Sequence, residues 1–177
     1  MLTKTDIRQA IKRRKAACSA EERAALSQLV VARLQQTAVW KAAHTVLLYH
    51  PLPDEADTRP LIAAAYATGK RVLLPVVVGD DLELRKYLPT TTMAEGAFHI
   101  QEPVGAAFTD YGAIDLAVIP GVAFTARGQR LGRGRGYYDR LLSRLTNTYK
   151  IGFCWSFQLV EELPTEAHDI PMDAVVS

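Results

Sequence analysis

The chain has little of what would tie it to a membrane, a metal cluster or a disulfide scaffold. It contains two cysteines, Cys18 and Cys154, too far apart for a CxxC redox pair or a zinc-ligand spacing. Such sparse cysteine fits a reducing compartment, and the cytoplasm is the expected location. Its uncharged apolar runs are short: Val72 to Val78 falls well below the roughly 20 residues a bilayer-crossing helix needs. The N-terminal residues are basic but lack an apolar stretch before a small-residue cleavage site, so they do not read as a secretory leader. Asp6, Glu21 and Glu22 also interrupt what would otherwise suggest an organelle transit segment. No repeat, low-complexity tract or linker is visible. The net charge of +2 is too small to argue for nucleic-acid binding by bulk electrostatics.

What remains is an ordinary globular composition, 49% hydrophobic and 23% charged over 177 residues. That length suits one domain spanning residues 1–177 with a core of its own. The distribution of charge is more informative than its sum. Residues 1–15 hold Lys4, Arg8, Lys12, Arg13, Arg14 and Lys15 against Asp6 alone. Residues 127–144 hold Arg127, Arg130, Arg133, Arg135, Arg140 and Arg144 against Asp139 alone. Six and six make 12 of the 21 basic residues, so a small anionic ligand is to be sought near these two segments.

Periodicity gives a coarse order of elements. Ile7, Ile11 and Cys18 fall near one stripe of a first helix, with Lys4, Arg8, Lys12 and Lys15 at spacings of three and four on another. Ser19 and Glu22 form a capping-box pattern that predicts a second helix to about Val39, with Leu26, Leu29, Val30 and Leu34 inward. A buried strand is expected over Thr45 to Tyr49, then a loop at Pro51 and Pro53. A third helix follows, capped by Thr58 and ended by Gly69. Arg71 to Val78 reads as a strand broken by Pro75. Leu82 to Leu88 alternates like a strand with one wet face, and residues 89–112 read as connecting structure. Further strands are expected at Asp115 to Ile119, Tyr149 to Trp155 and Asp173 to Val176. A helix from about Tyr137 to Leu145 and a helical turn near Gln158 lie between them. Continuous apolar strands separated by helices predict an α/β fold. The expected architecture is a single-domain three-layer sandwich with a mainly parallel sheet flanked by helices.

Residues 120–140 carry the densest chemistry, reading Pro-Gly-Val-Ala-Phe-Thr-Ala-Arg-Gly-Gln-Arg-Leu-Gly-Arg-Gly-Arg-Gly-Tyr-Tyr-Asp-Arg between an expected strand and an expected helix. Gly132, Gly134 and Gly136 alternate and let backbone amides turn toward an anion. Arg130, Arg133 and Arg135 lie among them and can clamp phosphate oxygens, with the positive end of the following helix behind. The pattern is neither a P-loop nor a dinucleotide fingerprint, because it lacks Gly-Lys-Ser/Thr and the required glycine spacing. A glycine-rich turn with solvated arginines is the plainer alternative; arginine at each intervening position favours phosphate binding.

Other candidates follow from that site. Asp139 is placed either to complement the helix dipole or, beside a polyphosphate, to hold Mg²⁺ through oxygen. Tyr137 and Tyr138 either pack or stack on a planar ring. Lys4 and Arg8, one helical turn apart, either form a solvated face or reach the same anion. Glu55 can accept hydrogen bonds from amino groups of a heterocycle, while Asp57 and Thr58 suit helix capping. His168 and Asp169 form a loop pair able to add a metal ligand. His44 and His99 have no nameable partner.

Pro120 to Arg140 closely resembles the signature of the 5-formyltetrahydrofolate cyclo-ligases, also called methenyltetrahydrofolate synthetases. The resemblance extends over nearly the whole chain. Lys4 and Arg8 match the family's basic pair. Tyr49 and Glu55 to Thr58 match its second block, followed by Gly69-Lys70, Leu74-Pro75 and Glu102-Pro103. Gln158, Pro164 and His168-Asp169 match its last block. Thr125 departs from the acid usual after the phenylalanine, and the chain ends at Ser177 where the family often continues.

The resemblance implies an ATP- and Mg²⁺-dependent conversion of 5-formyltetrahydrofolate to 5,10-methenyltetrahydrofolate, ADP and phosphate. By resemblance, Lys4, Arg8, Arg130, Leu131, Gly132, Arg133, Gly134, Arg135, Gly136, Tyr137 and Tyr138 cradle ATP, and Asp139 with Asp169 holds Mg²⁺. Arg133 to Tyr137 also border the folate, with His50 and Glu55 on its other side. Arg135, Arg130 and Tyr137 are the candidate catalytic residues. No nucleic-acid or membrane partner is implied; the oligomeric state is left open, a monomer being plausible. A sugar-phosphate isomerase or CoA-transferase-like enzyme, or a non-catalytic nucleotide- or folate-binding module, would suit the same fold.

Overall fold

In the computed structural model, which describes residues 2–177, helix α1 (Lys4–Ala17) opens the chain. Thr3 and Asp6 cap it reciprocally: the Thr3 hydroxyl accepts from the Asp6 amide and the Asp6 carboxylate accepts from the Thr3 amide. Ser19 and Glu22 do the same for α2 (Ala20–Gln36). That helix stops before Val39, because Thr37 leaves the helical conformation and becomes the cap of a separate helix, α3 (Ala38–Ala42). Its inner stripe is Ser27, Val30, Val31 and Leu34, with Leu26 half-buried; Leu29, expected inside, is 44% exposed. A stripe at i, i+3, i+4 and i+7 leaves Leu29 off the buried face.

The remaining elements in chain order are β1 (Thr45–Leu47), α4 (Arg59–Ala67), β2 (Arg71–Val78), β3 (Asp81–Tyr87), β4 (Met93–Glu95), β5 (Gln101–Pro103), β6 (Leu116–Ile119), β7 (Ala123–Phe124), β8 (Arg130–Leu131), α5 (Tyr137–Leu142), β9 (Tyr149–Phe153) and β10 (Ala174–Val176). A 3₁₀ turn at Ser156–Gln158 takes the place expected for it. The main sheet runs β10-β9-β6-β1-β2-β3, parallel except for the antiparallel edge pair β2 and β3. Alternate strand residues divide between two cores. Val46, Leu48, Val72, Leu74, Leu116 and Val118 pack with α2 and α4, while Leu47, Leu73, Ala117 and Ile119 pack with Leu141 and Leu142 of α5. The mainly parallel sheet therefore has helices on both faces, the expected three layers.

Several boundaries move, each for a local reason. Pro75 does not break β2, which continues through it to pair with Leu84. The Leu84 carbonyl is turned the other way, accepting the Phe108 amide, so the missing proline N–H costs β3 no bond. Thr58 does not cap α4: its hydroxyl donates to the Tyr49 carbonyl, while Asp57 accepts the Arg59 amide at 3.0 Å. The other end of α4 closes as expected, with Gly69 N–H on Tyr66 O and Lys70 N–H on Ala65 O. Helix α5 ends at Leu142, short of Leu145, so its dipole contribution is small. Residues 89–112 hold an antiparallel hairpin, β4–β5, and the glycine segment holds another, β7–β8.

Candidate active site

The chain leaves β1 toward β2 and β3 on one side and returns to β6 on the other. Loops after β1 and β6 therefore diverge, which opens a crevice at the carboxyl ends of the strands. A cleft of about 770 Å³ occupies that position. It is lined by all of the expected site residues: Lys4, Arg8, His50, Glu55, the run Arg130 to Asp139, and Asp169.

The cationic wall is built from the glycine segment and α1. Hairpin β7–β8 turns at Thr125, whose hydroxyl accepts the Gln129 amide at 3.2 Å. Gly134 and Gly136, at φ +105° and +72°, then bend the backbone around the cleft in a conformation that a side chain would strain. The α1 face is not merely solvated: Arg8 Nε donates to Gly132 O at 3.0 Å, docking the helix onto the loop. Lys4 Nζ donates to Glu166 at 2.7 Å and to Asp169 at 3.4 Å, and the hydrogen bond to Glu166 is the main reason its pKa is raised.

The three arginines have different employments. Arg130, with a side chain 4% exposed, donates to Pro120 O at 3.1 Å and to Asp139 Oδ1 at 2.9 Å, and lies over the Tyr138 ring. Arg133 reaches across the cleft to Asp54 at 2.7 Å and Glu55 at 3.3 Å. Arg135 has no ion-pair partner among the described residues; it rests over the Phe98 ring with 4.8 Å between guanidinium carbon and centroid. Of the three expected clamps, Arg135 is the one whose charge is uncommitted.

The opposite rim follows β1. Glu55 is partly buried and its carboxyl is pushed up by desolvation, against which the Leu52 amide and Arg133 act. Burial alone would raise Asp54 as well, but hydrogen bonding from Arg133 and the charge of Lys15 bring it below its ordinary value. Lys15 thereby braces Arg133 through Asp54, and its own pKa is lowered by burial. His50 is lowered by burial and then by the charge of Arg59. Tyr138 is partly buried and its hydroxyl pKa is raised by desolvation. His168 sits near Glu166 and Asp169, His44 offers its backbone amide to Asp115, and His99 pairs with Glu95 at 2.6 Å.

Asp139 and Asp169 line the cleft, each with one oxygen engaged, by Arg130 and by Lys4 with the Glu166 amide respectively. No group of three metal-ligating side chains clusters among the described residues. Mg²⁺ ordinarily takes one or two carboxylates and completes its shell with water and substrate phosphates. This donor set fits a cation that arrives with a polyphosphate, not a preformed cage.

The apolar wall was missing from the sequence reading as a site. The β4–β5 hairpin brings Phe98, Ile100 and Glu102 to the cleft beside Pro75, Val77 and Leu82. Phe98 stands edge-to-face with Tyr137, centroids 6.4 Å apart. Isolated apolar residues in a Thr-, Gly- and Pro-rich stretch carry no periodicity, and the Glu102-Pro103 pair was the one signal there.

The comparisons with known proteins agree with one another. The model of the 5-formyltetrahydrofolate cyclo-ligase family matches residues 1–177. The 5-formyltetrahydrofolate cyclo-ligase of Escherichia coli strain K12 is 34% identical, over 94% of this chain and 96% of the relative. The solution structure of Aquifex aeolicus 5,10-methenyltetrahydrofolate synthetase superposes with a TM-score of 0.86 at 38% identity, covering 99% of this chain and 89% of that one. The 5,10-methenyltetrahydrofolate synthetase of Mycoplasma pneumoniae gives a TM-score of 0.79 at 26% identity, covering 99% and 98%.

Proposed function

This chain belongs to the 5-formyltetrahydrofolate cyclo-ligase family, and from that premise we propose how its cleft carries out the ATP-dependent closure of 5-formyltetrahydrofolate to 5,10-methenyltetrahydrofolate. A formamide carbonyl is resonance-stabilised and its oxygen leaves poorly. Transfer of the γ-phosphoryl group of ATP to that oxygen makes an imidate-like carbon with phosphate as leaving group. N10 of the same folate attacks that carbon, the five-membered ring closes as N10 releases its proton to solvent, and phosphate departs with the C–O electron pair. Nucleophile and leaving group both belong to the substrates, so the protein's part is positioning and charge neutralisation.

The cationic wall takes the nucleotide. Lys4, Arg8 and the run from Arg130 to Tyr138 cradle the phosphates, with glycine amides turned to the anion. Arg135, uncommitted to any acid, neutralises charge at the transferred group, while Arg130 orders Asp139 and Tyr137 helps to position the reacting groups. Asp139 and Asp169 would hold Mg²⁺, which supplies charge neutralisation on the phosphates. The folate lies between Arg133 to Tyr137 and the rim at His50 and Glu55. Arg133, clamped by Asp54 and Glu55, ties that rim to the glycine loop. All these residues come from one chain, so a monomer suffices. No helix among the described residues is long and apolar enough to cross a membrane; separately, two unpaired cysteines favour a reducing compartment, and we place the protein in the cytoplasm.

The observation that carries this reading is the convergence of Lys4, Arg8 and Arg130 to Asp139 with His50 and Glu55 on one cleft at the strand switch point. Mixing the protein with ATP, Mg²⁺ and 5-formyltetrahydrofolate should produce the methenyl chromophore, and omitting Mg²⁺ should suppress it. ATP binding without that chromophore would reduce the protein to a nucleotide-binding module.

A further inference from the structure

One ionisable group in the cleft has no partner that accounts for its burial. Glu102 is 8% exposed and lines the cleft, yet its carboxylate receives a single long hydrogen bond, from the Val77 amide at 3.3 Å. The other acids of the cleft are matched: Asp139 by Arg130, Asp169 and Glu166 by Lys4, Asp54 by Lys15 and Arg133. Glu55 has both oxygens taken, by the Leu52 amide and by Arg133. Among the described residues Glu102 alone of these acids has no cation. Its other oxygen is not sealed in the protein and stays open to the cleft, where donors of a bound ligand can meet it.

The fold goes to some length to put it there. The Val77 amide points away from β3, beyond the end of β1, and Glu102 takes the ladder position that no strand fills. A Cβ on Gly96 would lie 2.2 Å from the Glu102 carboxyl carbon, so the hairpin backbone must pass directly over the group. Val77 and Leu82, opposite one another in the β2–β3 register, line the same cleft with Ile100 and the Phe98–Tyr137 ring pair. An apolar slot with one acceptor pair at its side suits a flat heterocycle that presents two parallel N–H donors.

We propose that Glu102 is a specificity-determining residue that accepts the N3–H and 2-amino hydrogens of the pyrimidinone edge of 5-formyltetrahydrofolate. Phe98 and Tyr137 flank the ring system. This assignment rests on the cleft being the folate site, and it puts the ring-reading carboxylate on the β4–β5 hairpin while Glu55 braces Arg133.

The test compares 5-formyltetrahydrofolate with its 2-desamino-2-methyl analogue, which lacks one of the two donors. The native enzyme should prefer the true substrate by about 100-fold in kcat/KM, the penalty for leaving a buried acceptor unmet. Glu102→Leu should bring the two within about threefold by losing activity on the true substrate, with the KM for ATP changed less than twofold. Glu102→Gln keeps the shape and the bond from Val77, and should show a preference reduced by about tenfold; it decides the matter alone if the leucine variant does not fold. A native enzyme indifferent to the analogue, or variants that keep the native preference, would overturn the assignment. Formation of the methenyl product by the native enzyme checks the family reading separately.

Discussion

The two walls of the cleft are made in opposite ways. The cationic wall is contiguous in sequence, with Arg130 to Asp139 all facing the cleft, helped by Lys4 and Arg8 from α1. The apolar wall is assembled from β2, β3 and the β4–β5 hairpin, where the sequence offers just two dipeptide signals, Leu74-Pro75 and Glu102-Pro103. A glycine-arginine run can turn its own amides and charges toward an anion. An apolar slot needs surfaces from several strands, because no short segment can enclose a ring by itself. The phosphate end is therefore locally encoded and the heterocycle end is a product of packing.

Substitutions should separate the walls. The largest effect is expected for Arg130→Met, which leaves Asp139 unpaired and opens the loop. Loss of about 2 to 3 kcal/mol follows, below the figure for a fully buried pair because Asp139 keeps some contact with solvent. Thermal unfolding should fall by roughly 5 to 10 °C and turnover by at least about 100-fold. A variant of native stability and activity would show that Arg130 is not the strut of the cationic wall.

Arg135→Ala comes next. With no ion pair to lose, its thermal stability should stay within about 1 °C, while single-turnover rate falls by about ten- to 100-fold. Unchanged single-turnover kinetics would remove Arg135 from the reacting centre. Phe98→Ala belongs to the apolar wall and should raise the KM for 5-formyltetrahydrofolate by about tenfold, with the KM for ATP nearly constant. A rise in the ATP KM of the same size would mean that the walls are not functionally separate.

The smallest effect tests a site on neither wall. Asp115 Oδ2 accepts the amides of Thr45 and His44 at 2.9 and 2.8 Å, and the Thr45 bond is the leading reason its pKa lies below 3.8. A carboxylate depressed in the folded state adds stability that is present above its ordinary value and lost as pH falls through its folded value. Asp115→Asn should therefore flatten the acid limb of stability below about pH 4, with a small cost at neutral pH because Asp115 is exposed and solvent screens its charge. Both KM values should be untouched, and an activity change would mean that the β1–β6 junction controls the cleft.

Legibility in the sequence tracked the range of the forces involved. Ser19 with Glu22, Gly69 after α4 and the apolar runs of β1, β2, β6 and β9 were readable because capping and strand patterning act within a few residues. Pro75 misled, since its cost depended on which way the Leu84 carbonyl turned. Leu29 lies off the stripe of Ser27, Val30, Val31 and Leu34 that packing buries, and α2 ends where Thr37 turns to cap α3. His99 and Phe98 sit in a hairpin whose pairing has no periodic signature.

By itself the sequence determined the layered α/β plan, the helix caps and the anion-seeking loop, because each depends on backbone geometry and neighbours a few positions away. The tertiary structure decided which arginine keeps its charge free, which carboxylate is left unmatched and where the ring slot lies. Those outcomes depend on partners such as Asp54, 79 residues from Arg133, or Gly132, 124 residues from Arg8. Charge pairing and burial are settled by distance in space, and only the folded chain fixes that distance.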